Sequence, residues 1–163
     1  MKILLLGMNH ETAPLDVRER FALDDPAPLL AKLVAHDEID EAVVISTCNR
    51  VEMCVTTHQA ESAHHTLMGC FPGHEDVTYL HTGRAAAAHV LRVASSIDSM
   101  VVGEPQILGQ MKDAYRAAVE QNACGPVLSR LFQRAFATAK RVKNETRIAQ
   151  RPVSVAQVAV DLA

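Results

Sequence analysis

Residues 43–52 have the sequence Val43-Val44-Ile45-Ser46-Thr47-Cys48-Asn49-Arg50-Val51-Glu52. A β-branched apolar run leads into a polar cluster, and beyond the cluster apolar and polar residues alternate with the period of a half-buried strand. The pattern predicts strands at 42–47 and 51–57. Cys48 is therefore expected at or beside the tight connection between them.

A cysteine at such a connection can be held rigidly and still be approached by a reagent. The guanidinium of Arg50 supplies positive charge that stabilises a thiolate, and it could also bind both oxygens of a substrate carboxylate. The alternative is a buried cysteine that serves as a small apolar residue, as most cysteines do. The polar neighbours of Cys48 favour the reactive thiol.

The rest of the first half of the chain predicts a small sheet. Further strands are expected at 2–8 and 77–81, with helices beginning near Asp25-Pro26 and covering 61–70. Residues 16–20 are interpreted as part of a turn and a short connection. The order β-α-β-β-α-β predicts a ferredoxin-like sheet with two helices on one face.

From Arg84 onward the periodicity is helical. Helices are predicted at 85–95, after Pro105 and after Gly125-Pro126, each with an apolar stripe. Ser154 is a candidate N-cap of a further helix. We therefore expect an α+β fold with a ferredoxin-like subdomain at 1–83, a helical bundle at 84–151 and the start of a long spinal helix at 152–163.

Composition indicates an ordinary globular protein. The 163 residues are 48% hydrophobic and 21% charged, and no apolar run approaches the roughly 20 residues of a membrane span. The four cysteines show no C-x-x-C spacing, which argues against a zinc knuckle or a redox dithiol. His58, His64 and His65 lack a further ligand at metal-binding spacing. We expect a cytoplasmic protein with reduced thiols, no metal and no membrane contact.

The net charge of −3 conceals an asymmetry. Residues 126–151 hold seven Lys or Arg residues against one acidic residue, Glu145. Such a segment can form a phosphate-binding face. It can equally be a solvated helix face or one packed on acidic protein, and the sequence leaves both interpretations open.

The polar cluster is part of a longer resemblance. Residues 46–52 (Ser-Thr-Cys-Asn-Arg-x-Glu) resemble the nucleophile motif of the glutamyl-tRNA reductase family. Four further segments resemble other motifs of that family, in the same order: 7–14 (GMNHETAP), 89–110 (HVLRVASSIDSMVVGEPQILGQ), 139–146 (AKRVKNET) and 153–155 (VSV). The resemblance covers nearly all of the chain. The sequence departs from the family pattern at Cys54, where an aromatic residue is common, and at Glu11, where a basic residue is.

The resemblance implies NADPH-dependent reduction of glutamyl-tRNA(Glu) to glutamate-1-semialdehyde in tetrapyrrole biosynthesis. A thiolate suits this reaction because it attacks the aminoacyl ester, expels the 3′ end of the tRNA and leaves a thioester that a hydride can reduce. A serine would form an oxygen ester, which accepts hydride less readily. Cys48 is the implied nucleophile, and Cys54, Cys70 and Cys124 are interpreted as structural.

The resemblance also implies a second catalytic residue, His89. Its spacing does not say whether it shuttles a proton, polarises the ester carbonyl or only positions other groups. The resemblance implies that Arg50 binds both oxygens of the glutamate side-chain carboxylate, although it could instead polarise Cys48. Thr47 and Asn49 could donate hydrogen bonds to the substrate or to a developing oxyanion.

The remaining implied substrate residues lie in the long motif. They are Ser99, Glu104, Pro105, Gln106 and Gln110. Glu104 could pair with the substrate ammonium group. The same Glu104-Pro105-Gln106 segment is also a plausible helix start with an acidic residue at the positive end of the dipole.

No G-x-G-x-x-G motif follows a predicted strand in the 163 residues. The resemblance therefore implies that NADPH is bound by a domain absent from this chain. It also implies a homodimer formed through a C-terminal domain that is absent as well, and an aminotransferase that receives the semialdehyde. Two rivals remain: a non-catalytic module that binds tRNA through residues 126–151, and a cysteine hydrolase, which is disfavoured because no histidine partner is marked by the local sequence.

Overall fold

The computed structural model describes residues 1–148, which form four strands and six helices. The α+β class is confirmed. The strands are β1 (Lys2–Asn9), β2 (Glu41–Ser46), β3 (Arg50–Thr57) and β4 (Tyr79–Thr82), and the helices are α1 (Leu15–Phe21), α2 (Ala27–Val34), α3 (Ala60–Met68), α4 (Arg84–Ala94), α5 (Gln106–Glu120) and α6 (Pro126–Glu145). The predicted Ser154 N-cap and the segment 152–163 lie outside the described residues.

The four strands form one sheet in the order β2-β3-β1-β4, and each neighbouring pair is antiparallel. Strands β2 and β3 form a hairpin in which Ser46 lies opposite Val51. In the central pair, Gly7 lies opposite Glu52 and Asn9 lies opposite Arg50. In this register, the C-terminal end of β1 lies at the same end of the sheet as the β2–β3 connection.

The interpretation of residues 16–20 as part of a turn and connection was wrong, because they lie in α1. The helix has only seven residues, too few for an apolar period to be evident, and short helices depend on tertiary contacts. Here Arg18 is buried, and its side chain bonds to backbone carbonyls. Strand β4 also starts later than predicted, since residues 75–77 form a 3₁₀ turn.

The expectation that β3 is half-buried was also wrong, because all eight of its residues are buried. Helices cover both faces of the strand. Val51 and Met53 line a groove with Phe21 of α1 and other apolar residues, whereas Glu52, which points the opposite way, bonds to His89 of α4. The polar face of β3 therefore meets protein and not solvent.

Glu41 of β2 bonds the sheet to the N-terminus of α6. The carboxylate of this buried residue accepts hydrogen bonds from the backbone N–H groups of Val127, at 3.0 Å, and Leu128, at 2.7 Å. It thus satisfies two of the unpaired donors at the N-terminus of α6 and opposes the positive end of the helix dipole. No helix among residues 1–148 is long and apolar enough to cross a membrane.

Gly7 permits the close approach of β1 to Glu52. A Cβ atom at this position would lie 2.4 Å from the backbone oxygen of Val51 and 2.8 Å from both Cα and Cγ of Glu52. Two of these three atoms are backbone, so a rotamer change in a neighbour cannot relieve the overlap. Only glycine fits opposite Glu52.

We therefore predict that Gly7→Ala lowers the free energy of unfolding by about 2–3 kcal/mol, because it overpacks the centre of the sheet. The matched control is Gly109→Ala in α5, where an added Cβ would meet no atom within 4 Å. Since alanine restricts the unfolded chain and favours helix, that variant should gain about 0.5–1 kcal/mol. Urea denaturation measures both, and equal effects of the two substitutions would contradict the packing argument.

Candidate active site

Cys48 lies in the three-residue connection 47–49 between β2 and β3, and its side chain is exposed. The turn is held by its own hydrogen bonds. The backbone N–H of Thr47 donates to the carbonyl of Arg50 at 2.9 Å, and Thr47 Oγ1 accepts from the N–H groups of Asn49 and Arg50, each at 3.2 Å. The thiol therefore stands at the surface on a rigid backbone, which excludes the alternative of a buried apolar cysteine.

A second support of the turn comes from α1. Arg18 donates from Nη1 to the carbonyl oxygen of Cys48 and from Nε to the carbonyl oxygen of Ala13, at 3.1 Å. Only 6% of Arg18 is exposed. It lies 30 residues before Cys48, and nothing in the local sequence indicated the contact.

Arg50 is buried beneath the turn, with 1% of its side chain exposed. Its Nη1 donates to Glu52 Oε1 at 2.8 Å, and its Nη2 donates to the carbonyl and, at 3.2 Å, to the carboxylate of Asp98. Both Nη atoms thus bind protein oxygens in this structure. The predicted fork on a substrate carboxylate stays a prediction, and a carboxylate that binds Nη2 would have to displace Asp98 from it.

Glu52 is the centre of a buried ionic network. Its Oε1 accepts hydrogen bonds from Arg50 Nη1, from Tyr79 Oη and from His89 Nε2, the last at 2.8 Å. Burial alone would raise the pKa of Glu52, but the His89 hydrogen bond, the Arg50 charge and the Tyr79 hydroxyl outweigh it and lower the pKa to about 2. The carboxylate is therefore ionised at neutral pH.

Tyr79 completes the donors around this carboxylate. Burial and the charge of Glu52 raise the pKa of Tyr79, so its hydroxyl stays protonated and can donate. The neighbouring His81 ring lies 4.7 Å from the ring of His89, centroid to centroid, and burial lowers the pKa of His81. The buried Glu52 carboxylate is thus surrounded by several oriented donors.

His89 is buried on α4, and both ring nitrogens face carboxylates. Nε2 bonds to Glu52, and Nδ1 lies 3.8 Å from Asp98 Oδ2. Because an ionised carboxylate only accepts hydrogen bonds, the proton of this contact belongs to Nε2. The ring orientation is fixed, while its chemical role stays among the three predicted alternatives.

Asp98 connects the network to the segment between α4 and α5. Besides its contacts with Arg50 and His89, its Oδ2 lies 3.1 Å from Arg92 Nη2 at the end of α4. The start of the predicted substrate segment is thereby anchored beside Arg50. Ser99, which follows directly, is half-buried.

Three of the other predicted substrate residues line two different cavities. Glu104 and Pro105 border a cavity of about 180 Å³ together with Leu108 and Lys143. Gln110 lines a separate groove with Ser46, two residues before Cys48. Gln106 is exposed at the first position of α5. The structure thus brings Arg50 and His89 together, but it does not bring all of the predicted substrate residues into one pocket.

The remaining thiols differ from Cys48 in their surroundings. Cys54 is fully buried, and Cys70 and Cys124 are partly buried. Burial raises the pKa of all three. Within residues 1–148, no group of three or more histidine, cysteine or acidic side chains could hold a metal ion.

Sequence reasoning missed Arg18, Tyr79 and Asp98 as members of this site, and it gave Glu52 no role. A signal existed for Glu52, because it lies two residues after Arg50 and so on the same face of β3. The others come from distant elements. Only the fold brings them to the turn.

Comparison with known proteins points to one family. The model of the N-terminal domain of glutamyl-tRNAGlu reductase matches residues 6–146. Glutamyl-tRNA reductase of Syntrophotalea carbinolica is 46% identical over 173 residues, covering all of this chain and 39% of that protein. Glutamyl-tRNA reductase 2 of Anaeromyxobacter dehalogenans is 48% identical over 163 residues, covering 99% of this chain and 36% of that protein.

The fold gives the same result. The solved structure of glutamyl-tRNA reductase from Methanopyrus kandleri superposes with a TM-score of 0.85 at 30% sequence identity, covering 99% of this chain and 39% of that one. The chain thus spans about two fifths of the length of the relatives it matches. From the extent of these matches, the chain belongs to the glutamyl-tRNA reductase family and represents its N-terminal domain.

Proposed function

We propose that this chain performs the acyl-transfer half of the glutamyl-tRNA reductase reaction, with Cys48 as the nucleophile. The observation that carries the proposal is an exposed thiol on a turn held by hydrogen bonds, beside a buried network that contains His89. In the whole protein, the product would be glutamate-1-semialdehyde, an intermediate of tetrapyrrole biosynthesis.

The proposed step is an ester-to-thioester exchange. The Cys48 thiolate attacks the carbonyl carbon of the glutamyl ester, a C–S bond forms, and the C–O bond to the tRNA 3′ end breaks. The leaving oxygen takes up a proton. His89 is the candidate that supplies or relays it, because the hydrogen bond between its Nε2 and Glu52 holds the ring in a fixed orientation.

We assign recognition of the glutamyl group to the polar residues that the sequence predicted. Thr47 and Asn49 flank the thiol, and Arg50 would meet the side-chain carboxylate once Asp98 has moved away from Nη2. The further assignment covers Ser99, Glu104, Pro105, Gln106 and Gln110. Because Glu104 and Pro105 line one cavity here and Gln110 lines another, we propose that the segment 98–106 rearranges when substrate binds.

The residues of this chain do not fit NADPH. Neither a glycine-rich phosphate loop nor another dinucleotide fingerprint occurs in the 163 residues. We assign the cofactor, the homodimer contact and any contact with the aminotransferase to parts of the full-length protein outside this chain, which would act in the cytoplasm. In our domain scheme, 1–83 form a ferredoxin-like subdomain and the helical subdomain begins at residue 84, while the predicted segment 152–163 lies outside the described residues.

A contact with the tRNA backbone is a second, compatible proposal. Arg130, Arg134, Lys140, Arg141 and Lys143 are all exposed on α6. Arg141 is paired with Glu145 at 3.0 Å, and among residues 1–148 the other four have no acidic partner, so we propose that they can contact phosphates. Such contacts would make binding weaken with salt.

The proposed role of Cys48 predicts that its thiol is the most accessible of the four. Iodoacetamide at neutral pH should modify Cys48 before the other three cysteines, because its side chain is exposed, whereas burial protects Cys54 and hinders Cys70 and Cys124. Peptide mapping by mass spectrometry measures the order of modification. The Cys48→Ala variant is the control, and it should keep the fold because an exposed side chain contributes little packing. Alkylation of Cys70 or Cys124 at the same rate as Cys48 would contradict the assignment.

The function itself is tested with glutamyl-tRNA carrying labelled glutamate. We expect an acid-stable labelled adduct on Cys48, none on Cys48→Ala, and slow release of free glutamate that NADPH does not change. Absence of the adduct in the unmodified chain would refute Cys48 as nucleophile. Formation of semialdehyde by these 163 residues with NADPH would show that the cofactor site lies within the chain.

The buried carboxylate predicts a dependence of stability on pH. The pKa of Glu52 is lowered in the folded state from 4.5 to about 2, so its ionisation stabilises the fold above pH 4.5, and this contribution is lost progressively as the pH falls toward 2. A shift of this size corresponds to about 3 kcal/mol. The Glu52→Gln variant lacks the ionisation.

Urea denaturation of both proteins should therefore show a large difference in free energy of unfolding at pH 7 that narrows by pH 3. The control is Glu61→Gln, which makes the same change from carboxylate to amide at an exposed position on α3. A constant difference between the Glu52 variant and the unmodified chain over this pH range would show that the Glu52 charge does not stabilise the fold.

A further inference from the structure

We infer that Arg18 is a positioning residue for the reaction: it fixes the peptide that carries Cys48 and so directs the thiol toward the ester. The inference rests on the proposed role of Cys48 as nucleophile. It starts from a contact outside the family motifs, in which a buried arginine of α1 donates to the carbonyl oxygen of Cys48.

The turn supplies partners for the N–H groups of Thr47, Asn49 and Arg50 but not for this carbonyl. Thr47 Oγ1 accepts from the N–H groups of Asn49 and Arg50, and the N–H of Thr47 bonds across the hairpin. Among the described residues, the partner of the Cys48 carbonyl is Arg18 Nη1. This bond sets the plane of the peptide between Cys48 and Asn49.

Arg18 is itself held in place at a second point. Its Nε donates to the carbonyl of Ala13, and the N–H of Ala13 donates to the carbonyl of Asn9 at 2.9 Å. Asn9 closes this turn with its side chain, whose Oδ1 accepts from the N–H groups of Glu11 and Thr12. Arg18 thus connects the rigid turn after β1 with the turn that carries Cys48.

The exposure of Cys48 makes this connection important for reactivity. A buried side chain is oriented by its neighbours, but an exposed one depends on the backbone to which it is attached. Reaction requires the attacking atom at about 3–3.5 Å from the carbonyl carbon, and displacements of about 1 Å can cost on the order of 100-fold in rate. Loss of Arg18 should therefore slow the chemical step more than it weakens binding.

The test compares Arg18→Ala with Arg20→Ala in the 163-residue chain. Arg20 belongs to the same helix, but its side chain is 65% exposed, and it lies 4.0 Å from Asp16. The rate of Cys48 thioester formation is measured in single turnovers over a range of glutamyl-tRNA concentrations. We expect Arg18→Ala to lower the maximal rate about tenfold or more while the half-saturating concentration changes less than about twofold, and Arg20→Ala to leave both unchanged within about twofold.

Chemical rescue separates positioning from general loss of structure. Millimolar ethylguanidinium should restore several-fold of the lost rate to Arg18→Ala, because it can occupy the vacated site and donate to the Cys48 carbonyl, whereas urea at the same concentration should not. An unchanged maximal rate in Arg18→Ala would overturn the inference. A reduced rate without rescue by ethylguanidinium would overturn it as well.

Two further outcomes keep the proposals separate. If the unmodified chain forms no thioester, the proposed function fails; if it does and Arg18→Ala matches it, only the role of Arg18 fails. Should circular dichroism show that Arg18→Ala does not fold, Arg18→Lys takes its place. A single ammonium cannot reproduce the fork between two carbonyls, so its maximal rate should fall at least about threefold, and an unchanged rate would overturn the inference.

Discussion

The buried carboxylate of Glu52 is the constraint on which most of this structure depends. A charge removed from water costs several kcal/mol unless it is paired and hydrogen-bonded, and removal of one partner of such a group is strongly destabilising. Glu52 obtains its partners from its own strand, from β4 and from α4, namely Arg50, Tyr79 and His89. Satisfying one charge therefore fixes the position of α4 on the sheet. Gly7 is the complementary requirement, because any side chain there would occupy the space of Glu52.

The reactive thiol and the charged groups of the site lie at different depths in the molecule. The thiol of Cys48 is exposed, whereas the ionic groups beneath it are almost completely buried and bonded to one another. The Cys48 thiol can therefore be reached from solvent, while both Nη atoms of Arg50 are bonded to Glu52 and Asp98. On our proposal, a substrate carboxylate that replaces Asp98 at Nη2 would also release the segment that follows α4, which holds most of the predicted substrate residues. Recognition of the substrate and rearrangement of this segment would then be one event.

The sequence predicted the hairpin, the position of Cys48 and the helical second half because each has a local signal, such as the β-branched run at 43–45. It did not predict α1, since the seven residues of that helix are too few to show a period. It also predicted an exposed face for β3, because alternation cannot distinguish a solvated polar face from one that meets buried donors. Asp98 and Arg18 entered the site through contacts over 48 and 30 residues, and no local pattern encodes such contacts.

The turn at Cys48 is stabilised by side chains other than the thiol. The Thr47 hydroxyl accepts from the amides of Asn49 and Arg50, and Arg18 donates to the carbonyl of Cys48. Arg50, the residue that follows, extends below the turn into the Glu52 network, so the hairpin is anchored from α1 on one side and from α4 on the other. Two arginines thereby have different functions around Cys48: Arg18 holds the backbone, and Arg50 links the buried charges. Because both anchors act on the backbone around Cys48, the thiol can remain exposed without losing a defined position.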